Sequence, residues 1–187
     1  MEQTNTRQTT SDVLRERGRI IARRNSWLQL LVCASASVVC SLVLFGLLLG
    51  LAVVHGDSMN PSYRNSDTVL FSRLARLGSY ESGDVVILEA DAEGLRKYLK
   101  RVIGVPGDVI SIDEQGAVIV NGEALDEPYA MGVTDRGVVT EYPVQLAEDE
   151  YFVLGDNRED SKDSRIMGAI EARHINGKVL AVLRFGS

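Results

Sequence analysis

Two hydrophobic periods divide the chain. From Asn25 to Val54 there is no charged residue, and Trp27 to Val54 is dominated by Leu, Val, Ala and Phe. A hydrocarbon layer of roughly 30 Å is crossed by about 20 apolar residues, so this run can span a bilayer with some tilt. A removable secretory leader carries an apolar stretch of only about 7–15 residues behind a short basic segment. Here the run is longer, a polar segment precedes it, and the small residues Ala34 to Ser37 that could mimic a cleavage site lie inside it. We therefore read residues 25–54 as an uncleaved transmembrane anchor behind a tail of residues 1–24. After residue 55 the period becomes two. Short β-rich runs recur at Thr68 to Phe71, Asp84 to Leu88, Leu95 to Val105, Val109 to Ile112, Ala117 to Val120, Tyr151 to Leu154 and Lys178 to Phe185. Ser-Gly, Pro-Gly, Asn-Gly and Gly-Asp-Asn turns separate them, and Asn121-Gly122 predicts a tight hairpin. Residues 55–187 are thus predicted to be a mostly β domain of bent antiparallel sheets, preceded by one transmembrane α-helix.

Charge orients the anchor. Residues 1–54 hold six Arg against three acidic residues, net +3, while the rest holds 14 basic and 23 acidic residues, net −9. Five of the Arg precede Asn25 closely, which assigns that end to the cytoplasm and the acidic domain to the outside of a cell membrane crossed once. An acidic domain without a basic stripe argues against a nucleic-acid partner. Cys33 and Cys40 both fall in the apolar run and lack zinc-site spacing, so no metal is indicated.

Three polar stretches carry candidate chemistry. GDSMNPSY (56–63) offers Ser58, whose hydroxyl needs a base to act as a nucleophile. His55 and His174 are the histidines available, the first a membrane-interface residue and the second in ARHING, a predicted surface turn. A lysine can serve instead if it is desolvated, because burial disfavours the ammonium. LRKYLKRVIGVPGD (95–108) supplies one: on a strand, Tyr98, Lys100 and Val102 share a face, with Leu99, Arg101 and Ile103 on the other. The third stretch, GDNREDSKDSRIMG (155–168), reads either as a solvated turn or as a compact loop in which Asp163 and Arg165 pair and Ser161 holds an amine.

In this order, behind an anchor, the three stretches resemble the diagnostic boxes of bacterial type I signal peptidases. The resemblance covers about Val53 to Gly168. It implies a Ser-Lys dyad in which Ser58 attacks the scissile carbonyl and neutral Lys100 takes its proton. It further implies that Ser161 orients the lysine amine, that Asp163 and Arg165 form a supporting pair, and that Tyr98 and Val153 pack around the lysine stem. Met59 would lie beside the nucleophile and Pro61 would set its turn, while Arg101 matches the family box without an evident role. Some members carry an oxyanion-binding serine at the position of Gly56, so here the Ser58 backbone N–H would stabilise the oxyanion. The implied substrates are preproteins with signal peptides, cut after small residues in an Ala-x-Ala pattern without metal or cofactor, by a protein in contact with the lipid bilayer and expected to be monomeric. The short spacing between the second and third boxes corresponds to a compact form of the family. Two other readings stand beside this one: a catalytically silent, membrane-tethered β module that binds peptides, and a self-cleaving SOS-type Ser-Lys repressor, for which residues 27–54 are the wrong partner.

Overall fold

The computed structural model describes residues 10–89 and 97–184. The chain divides into two units, Met1–Gly46 and Leu47–Ser187. Helix α1 (Thr10–Leu48) accounts for the described part of the first. Its Trp27–Leu48 stretch has a mean hydropathy of 2.5 and none of it is buried, so by length and composition it can cross a membrane. A core helix of a soluble protein would instead cover such side chains.

The helix ends at Leu48, short of the expected anchor boundary at Val54. Leu49–Val53 is strand β1, paired antiparallel with β2 (Thr68–Ser72) from Leu49↔Ser72 to Val53↔Thr68. The apolar run continues unbroken through both elements, so hydrophobicity alone carries no boundary. Gly50 weakens the helix, and a Cβ there would collide with the Phe71 ring that β2 lays against it.

The second unit has two sheets. The larger combines β1 and β2 with β3 (Val85–Glu89), β4 (Lys97–Gly104), β9 (Glu150–Leu154), β10 (Ile170–Glu171) and β11 (Ile175–Leu183). Its strand order is β1-β2-β11-β3-β4-β9-β10, with every pair antiparallel. The smaller sheet contains β5 (Val109–Ile112), β6 (Val118–Val120), β7 (Glu123–Ala124) and β8 (Val144–Gln145), ordered β7-β6-β5-β8. The predicted runs lie on strands except at their ends: Asp84, Val105, Ala117 and Arg184 fall just outside a strand, and Leu95, Arg96 and Phe185 lie outside the described residues. Asn121 (φ 53°) and Gly122 (φ 87°) join β6 to β7, the left-handed pair that a tight hairpin needs. The ARHING stretch is only half a surface turn: Arg173 and His174 are exposed, but Ile175 to Gly177 begin β11 and are buried.

Alternation along the strands builds three cores. Val86 and Leu88 join Val102, Tyr151 and Val153 on one face of the large sheet, whereas Ile87 turns to Val54, Val69 and Phe71 on the other. Ile103, Phe152 and Leu154 pack on Ile110, Ile112 and Val118, fastening the small sheet to the large one. With both faces covered, β3 reads as a continuous apolar run rather than an alternating one.

Candidate active site

Ser58 stands in the turn that follows β1. Val54 N–H donates to Asp67 O and Ser66 N–H returns to Val54 O, which fixes the entry to the turn. Gly56 adopts φ +84° and donates its N–H to Asn65 Oδ1 at 3.1 Å. Asn60 N–H bonds to Asp57 O, Tyr63 N–H bonds to Met59 O, and the Asn60–Pro61 peptide is cis. Met59, the residue after the serine, is 1% exposed and roots the turn in the interior. Asn157 braces the turn from the other side, donating its N–H to Ser58 O at 3.1 Å and its side-chain amide to Asp57 O at 3.2 Å.

Lys100 reaches this turn from β4. Its side chain is fully buried, and Nζ donates to Ser58 Oγ at 2.8 Å. The amine lies 5.6 Å from the centre of the Tyr98 ring, and Val86 is its register partner on β3. Tyr98 and Val153 belong to one apolar cluster with Val102 beneath this face of β4. Burial holds the lysine pKa down to about 8 from its ordinary 10.5; the carboxylates of Asp163, Asp156 and Asp160 oppose that shift and Arg165 assists it. At neutral pH a usable fraction of the amine is therefore unprotonated.

The loop from Gly155 supports both groups. Asp163 caps the short helix α2 (Ser164–Met167) and pairs bidentately with Arg165, Nε to Oδ1 and Nη2 to Oδ2, each at 2.9 Å. Its Oδ2 also accepts from Gly155 N–H at 3.0 Å. Burial pushes the Asp163 carboxyl up, but these bonds more than offset it and the net pKa is lowered. Gly155 is squeezed between the Ser58 carbonyl and the Ser161 side chain, with no room for a Cβ.

Ser161 departs from expectation. Its Oγ is buried and makes no hydrogen bond of good geometry, to Lys100 or to any other group, although it lies near enough to Asp163 to help lower that carboxyl. The Lys100 amine instead turns toward Ser58 Oγ.

Arg101 has a role that no local pattern announces. Facing away from Lys100, its Nε and Nη2 clasp the fully buried Asp156 at 2.8 and 2.7 Å, and Nη1 reaches Gly83 O at 2.9 Å. The strand bearing the lysine is thereby locked to the turn behind the serine. The partners are 55 residues apart, and only the GDN turn in one box and the arginine in another hint at the pairing.

A groove of about 350 Å³ opens beside Ser58. β1 and its continuation, Leu51 to His55, form one wall, Lys97 to Leu99 form the other, and Val69 and Ile87 line it between them. Strands β1 and β4 meet here across three intervening strands, so the sheet must curl. Among the described residues β1 pairs on one side only, with β2. His55 lines the groove without bonding to Ser58, and no cluster of three or more metal-binding side chains occurs among the described residues.

A bent antiparallel sheet thus brings a serine hydroxyl to a buried lysine amine beside a groove lined by apolar and polar side chains alike. The sequence belongs to the family described as signal peptidase, peptidase S26, whose model matches residues 24–184. Membership bears out the resemblance carried by the three boxes and makes the protein a serine endopeptidase. Signal peptidase I S of Bacillus subtilis (strain 168) is 31% identical over 154 residues, 78% of this chain and 82% of its own length. Signal peptidase IB of Staphylococcus aureus (strain Mu50) is 36% identical over 142 residues, 67% of this chain and 73% of its own. A crystal structure of a signal peptidase I from Enterococcus faecalis V583 aligns with a TM-score of 0.45 at 24% identity, covering 56% of this chain and 98% of that one.

Proposed function

We propose that the protein removes signal peptides from secreted preproteins with Ser58 as nucleophile and Lys100 as general base. The observation that carries this reading is the 2.8 Å bond between Ser58 Oγ and a lysine amine with no exposure to solvent. In the unprotonated enzyme that bond reverses, Ser58 donating its hydroxyl proton to Nζ. Attack on the scissile carbonyl forms the Oγ–C bond as the proton passes to the amine. The resulting ammonium protonates the departing amine, leaving an acyl-enzyme, and the neutral lysine then activates a water to hydrolyse it.

The Ser58 N–H has no acceptor among the described residues and is the donor assigned to the oxyanion. Gly56 has open space where a Cβ would stand, which lets substrate approach the backbone. Ser161, its hydroxyl uncommitted, is available to hold the amine once Oγ turns to the substrate. Asp163 and Arg165 keep the loop shaped around it, while Tyr98 and Val153 keep the lysine dry.

An extended substrate would pair its backbone with the free edge of β1 and set small side chains, Ala-x-Ala, against the groove wall. The family name of its relatives and the apolar helix support a membrane setting, and the arginine bias supports an inward N-terminus with the catalytic unit outside. Full-length protein in detergent should cut a signal-peptide substrate. Ser58→Ala and Lys100→Ala should each abolish cutting, and the double variant should be no worse, because the two act as a unit. Appreciable cleavage by Ser58→Ala would sink the assignment. A peptide-binding module without catalysis would show no cleavage in the wild type.

A further inference from the structure

The segment after β7 is bound to the back of the serine–lysine turn. Met131 N–H donates to Asp156 O at 2.7 Å, and Arg158 N–H returns to Met131 O at 2.9 Å. Glu127 receives both terminal nitrogens of the buried Arg158, at 2.9 and 2.6 Å, and also accepts from the Tyr129 hydroxyl at 3.2 Å. Arg158 Nε in turn holds Gly155 O at 3.0 Å. Tyr129, fixed by this arrangement, lays its ring 4.0 Å from the Arg101 guanidinium carbon.

That position has a physical consequence. The edge of the Arg101 fork is occupied by Asp156, Gly83 O and Ser62 Oγ, and the Tyr129 ring covers one of its two flat faces. A guanidinium stacked on an aromatic face is held there most strongly where water is excluded. The charged groups whose fields act on Lys100 are Asp163, Asp156, Asp160 and Arg165, with Ser58 and the Tyr98 ring at the amine itself. Two of these carboxylates are each clasped by an arginine, Asp163 by Arg165 and Asp156 by Arg101.

We propose that Tyr129 is a positioning residue for peptide cleavage: its ring keeps the Arg101–Asp156 pair closed, so that the Asp156 charge acting on the Lys100 amine stays compensated by Arg101. Removing the ring admits water to the pair and loosens it. The looser pair leaves the Asp156 charge less compensated, which favours the lysine ammonium. The free base is lost at neutral pH although neither Ser58 nor Lys100 has been touched. This inference rests on Lys100 being the base.

The test is kcat/KM of the full-length chain in detergent micelles, from pH 6 to 10, on a fluorogenic peptide spanning an Ala-x-Ala cut. Tyr129→Leu and Tyr129→Met remove the ring at a half-buried site while keeping apolar bulk. In both, the acid limb should move up by about half a pH unit or more, costing about threefold at pH 7 and recovering at alkaline pH. Tyr129→Phe keeps the ring and should leave the limb at its wild-type position. An unmoved limb in the Leu and Met variants, or a loss equal at every pH, overturns the proposal. The two readings fail separately: activity in Ser58→Ala removes the dyad, whereas an inactive Ser58→Ala with an unmoved Tyr129→Leu limb removes only the role of Tyr129.

Discussion

Replacing Lys100 with methionine should destroy activity and stabilise the fold, with a pH signature that follows from burial. The wild-type side chain is fully enclosed, and its pKa falls from 10.5 to about 8 on folding. That gap corresponds to about 3 kcal/mol at 1.36 kcal/mol per pH unit. Between the two values the unfolded chain holds a proton that the folded chain has released, so stability rises with pH across this window. Below pH 8 the full cost is present, and above 10.5 it has gone. Methionine has a similar length, carries no proton and suits a pocket walled by Tyr98 and Val102. The stability advantage of Lys100→Met over wild type should therefore shrink by about 3 kcal/mol between pH 7 and 10.5, roughly 10 °C in melting temperature for a unit of this size. How well methionine packs, and the lost bond to Ser58, change the absolute advantage but not this slope, because every other group titrates alike in both proteins. Denaturant unfolding of the two proteins in the same detergent, repeated at several pH values, measures it. A difference that stays flat from pH 7 to 10.5 would mean that the folded lysine keeps its proton, and a neutral base at Lys100 would be untenable.

Gly155→Ala tests the packing behind the nucleophile. Its methyl would meet the Ser58 carbonyl and the Ser161 side chain, so kcat should fall at least about tenfold for a stability loss of about 1–3 kcal/mol. Wild-type kcat in a folded variant would show that the Ser58 turn tolerates displacement. A reporter fused after Ser187 should be active outside the cytoplasm, and protection of the catalytic unit from protease added to intact spheroplasts would invert the topology.

Most strands could be read from the sequence because alternation and turn residues coincide there, as at Val109–Ile112 and at Asn121-Gly122. The end of the helix could not, because LGLAV is apolar in either conformation and its hydrogen-bond partner lies in β2, beyond the serine turn. Lys100 was legible through its strand face: the same alternation that buries Val102 buries the amine. Asp163 and Arg165 were legible because the partner lies only two positions after the helix cap. Arg101, Asp156, Tyr129 and Glu127 were not, since their contacts join distant segments and leave no periodic trace. The Ser161 contact was carried over from family boxes, which define residue types in order but not which way a hydroxyl points.

Strand β1 leaves one more consequence. Sheets usually guard their margins with lysine, proline or a bulge, and LGLAV contains none of these. The row of amides and carbonyls that would receive a substrate is equally open to the β1 of a second copy, aligned antiparallel. Self-association and cleavage would then compete for the same backbone groups. Specific activity would fall as the enzyme is concentrated, and an excess of peptide would return the pairs to single molecules.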